Sequence, residues 1–310
     1  MDALTRLIQL ARPQASLELR CQLQGNFTVP SAARPHAVPF HLALAGSCVI
    51  ESADGSSLVL RAGDLVMFPR GGAHRMRDLA RGAPATTPLR ISHEGMLPLE
   101  HNNAAGGAPD VDLLCGRFDC DQGPAALLLQ SLPDPLHVSL ADTPSAPALQ
   151  ALVTLMRDEA ERRQPGALAI VTALSHALFT MALRGYGEQH PDAANMLALL
   201  SDTRLASSVQ ALLAEPGRDW TIADLGDKAA MSRATYARRF RDCAGMTVLE
   251  FLTQVRMTLA GNLLLQTRRS AADIGMEVGY QSEAAFGKAF QQSMGLTPGR
   301  YRKLGGKASD

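Results

Sequence analysis

Two kinds of side chain in this 310-residue chain are placed to do chemistry, thiols near cations and arginines along a helix. Of the five cysteines, Cys21 follows Arg20 and Cys115 stands two residues before Arg117. A neighbouring cation favours the thiolate, which is the form that reacts with oxidants. The alternative for each is a small buried hydrophobe. Cys48, Cys120 and Cys243 are weaker candidates, although Cys120 is close enough in sequence to Cys115 to compete as its partner. With no CxxC pair and no secretory signal, neither a zinc knuckle nor a structural disulfide framework is expected. Near the C-terminus, Arg233, Arg238 and Arg241 lie opposite the aromatic pair Tyr236 and Phe240, which is spaced i, i+4 to face a core. Forked guanidinium donors on such a face reach guanine edges and phosphates.

The elements that position these groups follow from composition and periodicity. At 46% apolar and 19% charged residues the chain is ordinarily globular, and its length predicts two domains at about 150 residues each. No stretch reaches about 18 uninterrupted apolar residues, and the start carries Asp2 and no apolar block, so a soluble intracellular protein without a membrane partner is expected. The zero net charge is uneven. From Pro216 onward fourteen Lys and Arg face nine Asp and Glu, a basic balance that suits a polyanion. Residues 37–79 alternate as short strands with a turn at Ala53-Asp54-Gly55, residues 81–109 read as a long mobile loop, and strands resume near VDLLCGRFDC. After Pro144 the period becomes helical, ending in a segment, IVTALSHALFTMAL, apolar nearly all round. Such a helix must be buried in its own domain or against a second copy.

The last ninety residues repeat. Asp224-Leu225-Gly226 is echoed by Asp273-Ile274-Gly275 at an offset of 49. One extra residue later the offset is 50, pairing Ser232 with Ser282, Tyr236 with Phe286, Phe240 with Phe290 and Gly245 with Gly295. Each copy has helix-turn-helix grammar. Thr221 with Asp224, or Ser270 with Asp273, opens a first helix, and Ser232 or Ser282 caps a second after a small-residue turn. Val248, Leu252, Val255, Leu259 and Leu263 predict one continuous amphipathic helix between the copies, which would set two reading heads into successive major grooves.

These residues resemble the double helix-turn-helix domain of AraC-type transcription regulators over about 216–304, above all in VGYQSEAAFGKAFQQSMGLTPGRYR. The resemblance implies sequence-specific binding of double-stranded promoter DNA, a homodimer, contact with RNA polymerase and no enzymatic activity. Its major-groove readers fall on Arg233, Ala234, Ala237 and Arg238 in the first recognition helix and on Glu283, Ala284, Gly287 and Lys288 in the second. The family's usual alanine inside each first helix is Gly226 or Gly275 here, at a cost of up to about 1 kcal/mol of helix propensity each.

The N-terminal part resembles the cupin sensor domain of a subgroup of these regulators. Gly63, Pro69-Arg70-Gly71 and His74 follow the second cupin motif, with Asp78 where the family often has asparagine. Of the first motif only His41 is present, with Ala43 where a second histidine would stand, so the full metal set of catalytic cupins is missing and no cofactor is expected. His41 and His74, with Cys115 or with His93 and His101, are the residues a metal would use; the other reading is hydrogen-bonded barrel histidines. Cys21, placed just after an N-terminal helix, and Cys115, in a late strand, resemble positions carrying cysteine in oxidant-sensing members, which implies redox sensing; a metal or a small organic effector in an apolar cavity of the barrel is the alternative signal. The expected architecture is thus α+β: a cupin-like β-barrel over 1–143, a helical dimerisation region over 144–215, and an all-α double helix-turn-helix over 216–310.

Overall fold

The structure is a computed structural model that describes the chain except residues 1, 3, 6–7, 10–12, 35–36, 80–87, 94–96, 103–107, 120–128, 130–131, 140–145, 163, 191–195 and 306–310. One compact unit holds Pro13–Cys120 and Leu132–Gln189; the other includes His190–Asp310. Cys120 lies outside the described residues.

The first unit is a half-barrel of mixed sheet. Its strands are β1 (Gln14–Leu23), β2 (Thr28–Ser31), β3 (Ala37–Ser52), β4 (Ser57–Arg61), β5 (Leu65–Met67), β6 (His74–Arg77), β7 (Arg90–Ser92), β8 (Leu99–His101), β9 (Val111–Asp119) and β10 (Leu136–Val138). The order runs β10-β5-β3-β9-β1-β8-β7, with β4 and β6 also on β3 and β2 on β6. The long β3 is the hub. Its first half pairs with β9 and β5, its second with β4 and β6. It turns between these partners at a register shift between Ala43 and Ala45 and at Gly46, whose φ is +73°. A Cβ at Gly46 would overlap the carbonyl oxygen of Asp110, so only glycine fits.

Three expectations shift. Cys21 is in a strand, β1, where Leu19, Cys21 and Leu23 share one face at period two, and a bulge between Leu17 and Leu19 turns Leu17 to the other face. Residues 90–92 and 99–101 of the expected loop are strands. The helices α1 (Ala146–Arg162) and α2 (Ala167–Gln189), expected in a region of their own, belong to the sheet's compact unit. In β9 Val111, Leu113 and Cys115 enter the barrel core, while the Phe118 ring lies 4.8 Å from Phe40 and 4.7 Å from Phe179 of α2. Burial on both faces makes this strand a near-continuous apolar run. Among the described helices α2 is the one long and apolar enough to cross a membrane, and 39% of that apolar window is buried in the fold.

The second unit continues with α3 (Met196–Ser201), α4 (Ala206–Ala214), α5 (Ile222–Lys228), α6 (Arg233–Ala244), α7 (Val248–Gln266), α8 (Ala271–Glu277), α9 (Glu283–Met294) and α10 (Pro298–Gly305). The repeat is realised as α5-turn-α6 and α8-turn-α9. Thr221 and Asp224 form a reciprocal capping box, Ser270 accepts from the Asp273 amide, and Ser232 and Ser282 cap α6 and α9. Both recognition helices end in left-handed glycines, Gly245 at φ +70° and Gly295 at φ +72°. The glycines inside α5 and α8 serve close packing. A Cβ at Gly226 would stand 2.8 Å from the Met231 carbonyl oxygen, and one at Gly275 2.9 Å from the Phe286 ring.

Candidate functional site

In the first unit, strand register assembles the thiols. His41 of β3 stands opposite Cys115 of β9, and Cys21 of β1 stands opposite Glu100 of β8. His74, from β6, closes the group. Cys21 Sγ lies 3.8 Å from Cys115 Sγ and 3.7 Å from Glu100 Oε2. Cys115 Sγ lies 3.1 Å from His41 Nδ1, His41 Nε2 lies 2.7 Å from His74 Nε2, and His74 Nδ1 lies 2.9 Å from the Gly72 carbonyl oxygen. The His74 ring is stacked on Phe68 at 3.7 Å between centroids.

Elementary donor counting fixes most of the protons. A carbonyl oxygen only accepts, so His74 Nδ1 carries a hydrogen. Burial, and then the neighbouring His41, push the His74 pKa down to about 4, so near neutral pH its Nε2 is a bare lone pair. His41 Nε2–H must therefore donate to it. The other side of His41 is left facing Cys115, either accepting its S–H or donating to its thiolate. The hydrogen bond from Cys21, with the imidazole of His41, holds the Cys115 thiol below the ordinary range despite its burial. Cys21 is pushed the opposite way by its hydrogen bond to Cys115, by burial and by Glu100. Cys48, buried elsewhere in the core, is raised to about 12 by desolvation.

Arg20 and Arg117, the cations expected to activate these thiols, are engaged elsewhere. Arg20 points off the opposite face of β1 from Cys21, into Asp112 at 2.5 Å and Glu161 at 3.5 Å, because successive strand residues alternate. Arg117 pairs with Glu18 and Asp119. The activating group is an imidazole from a neighbouring strand. Glu100, absent from the sequence reading, sat in the segment expected to be loop. A cavity of about 490 Å³ reaches the cluster, with Cys115, His41 and Glu100 in its lining beside Leu19, Val29 and Met76.

The histidines do not fit a resident metal. Their Nε2 atoms are at hydrogen-bond distance, closer than the roughly 3.3 Å between two nitrogens each about 2.0–2.1 Å from a tetrahedral ion. Among the described residues no three His, Cys, Asp or Glu side chains have metal-site geometry. His93 is exposed, and His101 is half-buried on β8.

In the second unit both recognition helices repeat one burial pattern. Tyr236 and Phe240 on α6, and Phe286 and Phe290 on α9, are fully buried. Arg233, Ala234, Arg238 and Arg241, and Glu283, Ala284 and Lys288, are exposed, with Ala237 and Gly287 half-buried between them. Arg239 is different, its guanidinium bonding Asp202 at 2.6 Å. Between the copies α7 is 19 residues, about 28 Å long. Cys243, half-buried beside Asp202, belongs to this unit and is raised by burial.

The cupin family matches residues 2–188, and a helix-turn-helix domain family matches 225–304. The chain is 36% identical over 304 residues to an uncharacterized HTH-type transcriptional regulator of Haemophilus influenzae, covering 98% of this chain and 99% of that one. The chain belongs to the AraC-type transcription regulators with an N-terminal cupin domain. It is also 31% identical to the HTH-type transcriptional regulator MtrA of Neisseria gonorrhoeae, over 99% of this chain and all of that one. To the RCS-specific HTH-type transcriptional activator RclR of Escherichia coli it is 30% identical, over 98% of both chains. A family of this type binds double-stranded DNA and regulates transcription; it is not an enzyme family.

Proposed function

We propose that this regulator senses oxidant through a reversible Cys21–Cys115 disulfide that changes its affinity for promoter DNA. The observation that carries the reading is the 3.8 Å separation of two sulfurs inside one barrel core, one of them bonded to an imidazole. Closing the bond to about 2.05 Å brings the two sulfurs about 1.8 Å nearer, a movement that the paired strands β1 and β9 must absorb in side-chain rotamers and packing. Because β9 also carries Phe118, which packs on Phe179, the strain passes to α2, whose last residue, Gln189, adjoins the DNA-binding unit in sequence. A packed sheet has discrete arrangements, so oxidation biases a two-state equilibrium. The RCS specificity for which the Escherichia coli relative RclR is named agrees in kind.

On α6 and α9, Arg233, Ala234, Ala237 and Arg238 with Glu283, Ala284, Gly287 and Lys288 face base edges, and Arg241 faces phosphate. Exposed Leu155 on α1, and Leu168 and Ile170 in the first turn of α2, at 46%, 45% and 43% accessibility, are the apolar side chains that pairing of two copies would cover. The test is the affinity of fully reduced protein for the DNA upstream of its own gene, repeated after mild hypochlorite and again after dithiothreitol, at fixed salt. A reversible change absent from Cys21→Ser and Cys115→Ser is expected. Affinity indifferent to oxidation in the wild type removes the thiol switch.

A further inference from the structure

The two thiols are not equivalent. Cys21 has no exposed surface, while Cys115 is 7% exposed and lines the cavity together with His41 and Glu100. The rest of the lining is mostly apolar: Leu19, Val29, Pro30, Pro39, Met76 and Leu89. Exposed Ala32 and Arg34, also in the lining, mark where it meets solvent, and Arg34 is neutralised there by Glu18 at 2.6 Å. A volume near 490 Å³ is that of a small-molecule site, whereas an inorganic oxidant needs little more than the roughly 30 Å³ of a water. The shape and walls suit a molecule with an apolar body and one reactive polar end.

We propose that this cavity is the binding site for an apolar organic hydroperoxide, that Cys115 is the thiol its terminal oxygen meets, and that Cys21 resolves the product. The inference rests on the thiol-switch reading above. The Cys115 proton passes to His41 Nδ1, whose other nitrogen is already held by His74. The thiolate attacks the terminal peroxide oxygen, the S–O bond forms and the O–O bond breaks. The departing alkoxide takes the proton from His41 and leaves as an alcohol. Cys115 is now a sulfenic acid. The Cys21 sulfur, 3.8 Å away, attacks the Cys115 sulfur, and hydroxide leaves with the Cys21 proton as water. The sum is two thiols and one hydroperoxide giving a disulfide, an alcohol and water. His41 and His74 are positioning residues that hold and return one proton.

The test uses the full-length reduced protein with cumene hydroperoxide and hydrogen peroxide as probes, following thiol loss by stopped flow and dividing each rate by that of free cysteine. The expected result is a normalised preference for cumene hydroperoxide of about tenfold or more, reflecting apolar binding in the cavity. Ala32→Trp, which fills an exposed part of the lining, should remove most of that preference. Cys21→Ser should stop at a sulfenic acid on Cys115 that dimedone traps; Cys115→Ser should leave Cys21 unlabelled. A preference no greater than free cysteine's overturns the proposal, and so does dimedone on Cys21 in Cys115→Ser. If that happens while hypochlorite still forms the Cys21–Cys115 disulfide and shifts operator affinity, the organic ligand fails and the thiol switch stands. If no oxidant forms the disulfide, both fail.

Discussion

Arg238 and Arg239 are neighbours on α6, and replacing each by alanine separates reading from folding. The Arg238 side chain is exposed and has no hydrogen bond or ion pair among the described residues, so its loss should change stability by no more than about 0.5 kcal/mol. A bidentate guanine contact contributes about 1–3 kcal/mol of discrimination, which is about 5- to 150-fold in Kd. Arg239 instead binds Asp202, whose side chain is 8% exposed. Removing it leaves a nearly buried carboxylate with the backbone amides of Arg204 and Leu205 and the weak Cys243 thiol donor, and no cation, so the melting temperature should fall. Burial alone would raise the Asp202 pKa, but the Arg239 and backbone hydrogen bonds outweigh it and the net shift is downward. A depressed carboxylate stabilises the fold above its unfolded pKa of about 3.9, and that contribution fades as pH falls through the folded value. The melting difference between wild type and Arg239→Ala should therefore shrink below about pH 4. The assay is fluorescence anisotropy on the upstream duplex and on an unrelated one at several salt concentrations, with melting curves beside it. Arg238→Ala should weaken the first duplex alone, with an unchanged melting temperature. Unchanged operator affinity would refute the placement of the recognition helix; equal losses on both duplexes would make Arg238 a phosphate contact.

Other outcomes follow from the same geometry. Arg241→Ala should weaken both duplexes alike and reduce the slope of log Kd against log salt by about 0.9, as for one phosphate contact. Alkylation of Cys115 should stay fast well below the pH at which an ordinary thiol ionises, and His41→Ala should move the loss of rate toward alkaline pH, read by iodoacetamide labelling from pH 5 to 9. In the turn of the first repeat Ala230 has φ +52°, where the second has Gly279 at φ +93°, so Ala230→Gly should stabilise the DNA-binding unit by up to about 1 kcal/mol in urea. Leu168→Asp with Ile170→Glu should turn a dimer into a monomer in sedimentation; a mass unaffected by the pair excludes the start of α2 from the interface.

The amino-acid sequence by itself determined whatever repeats or recurs locally. The two helix-turn-helix copies, their serine caps and αL glycines, the buried aromatic pairs and the exposed faces opposite them all follow from spacing within about fifty residues, because helix period and capping are local properties. The alternation of Leu19, Cys21 and Leu23 is visible in the sequence in the same way, though a helix was expected just before Cys21, but the bulge that turns Leu17 to the other face is not. Only the tertiary structure decided what activates a thiol. Arg20 is next to Cys21 in sequence yet leaves the other face of the strand, and its charge is met by Asp112. His41 is 74 residues from Cys115, and Glu100 is 79 from Cys21; each is brought close by strand register. Register between strands is set by the bulges, turns and core volumes of the whole barrel, so no window of sequence contains it.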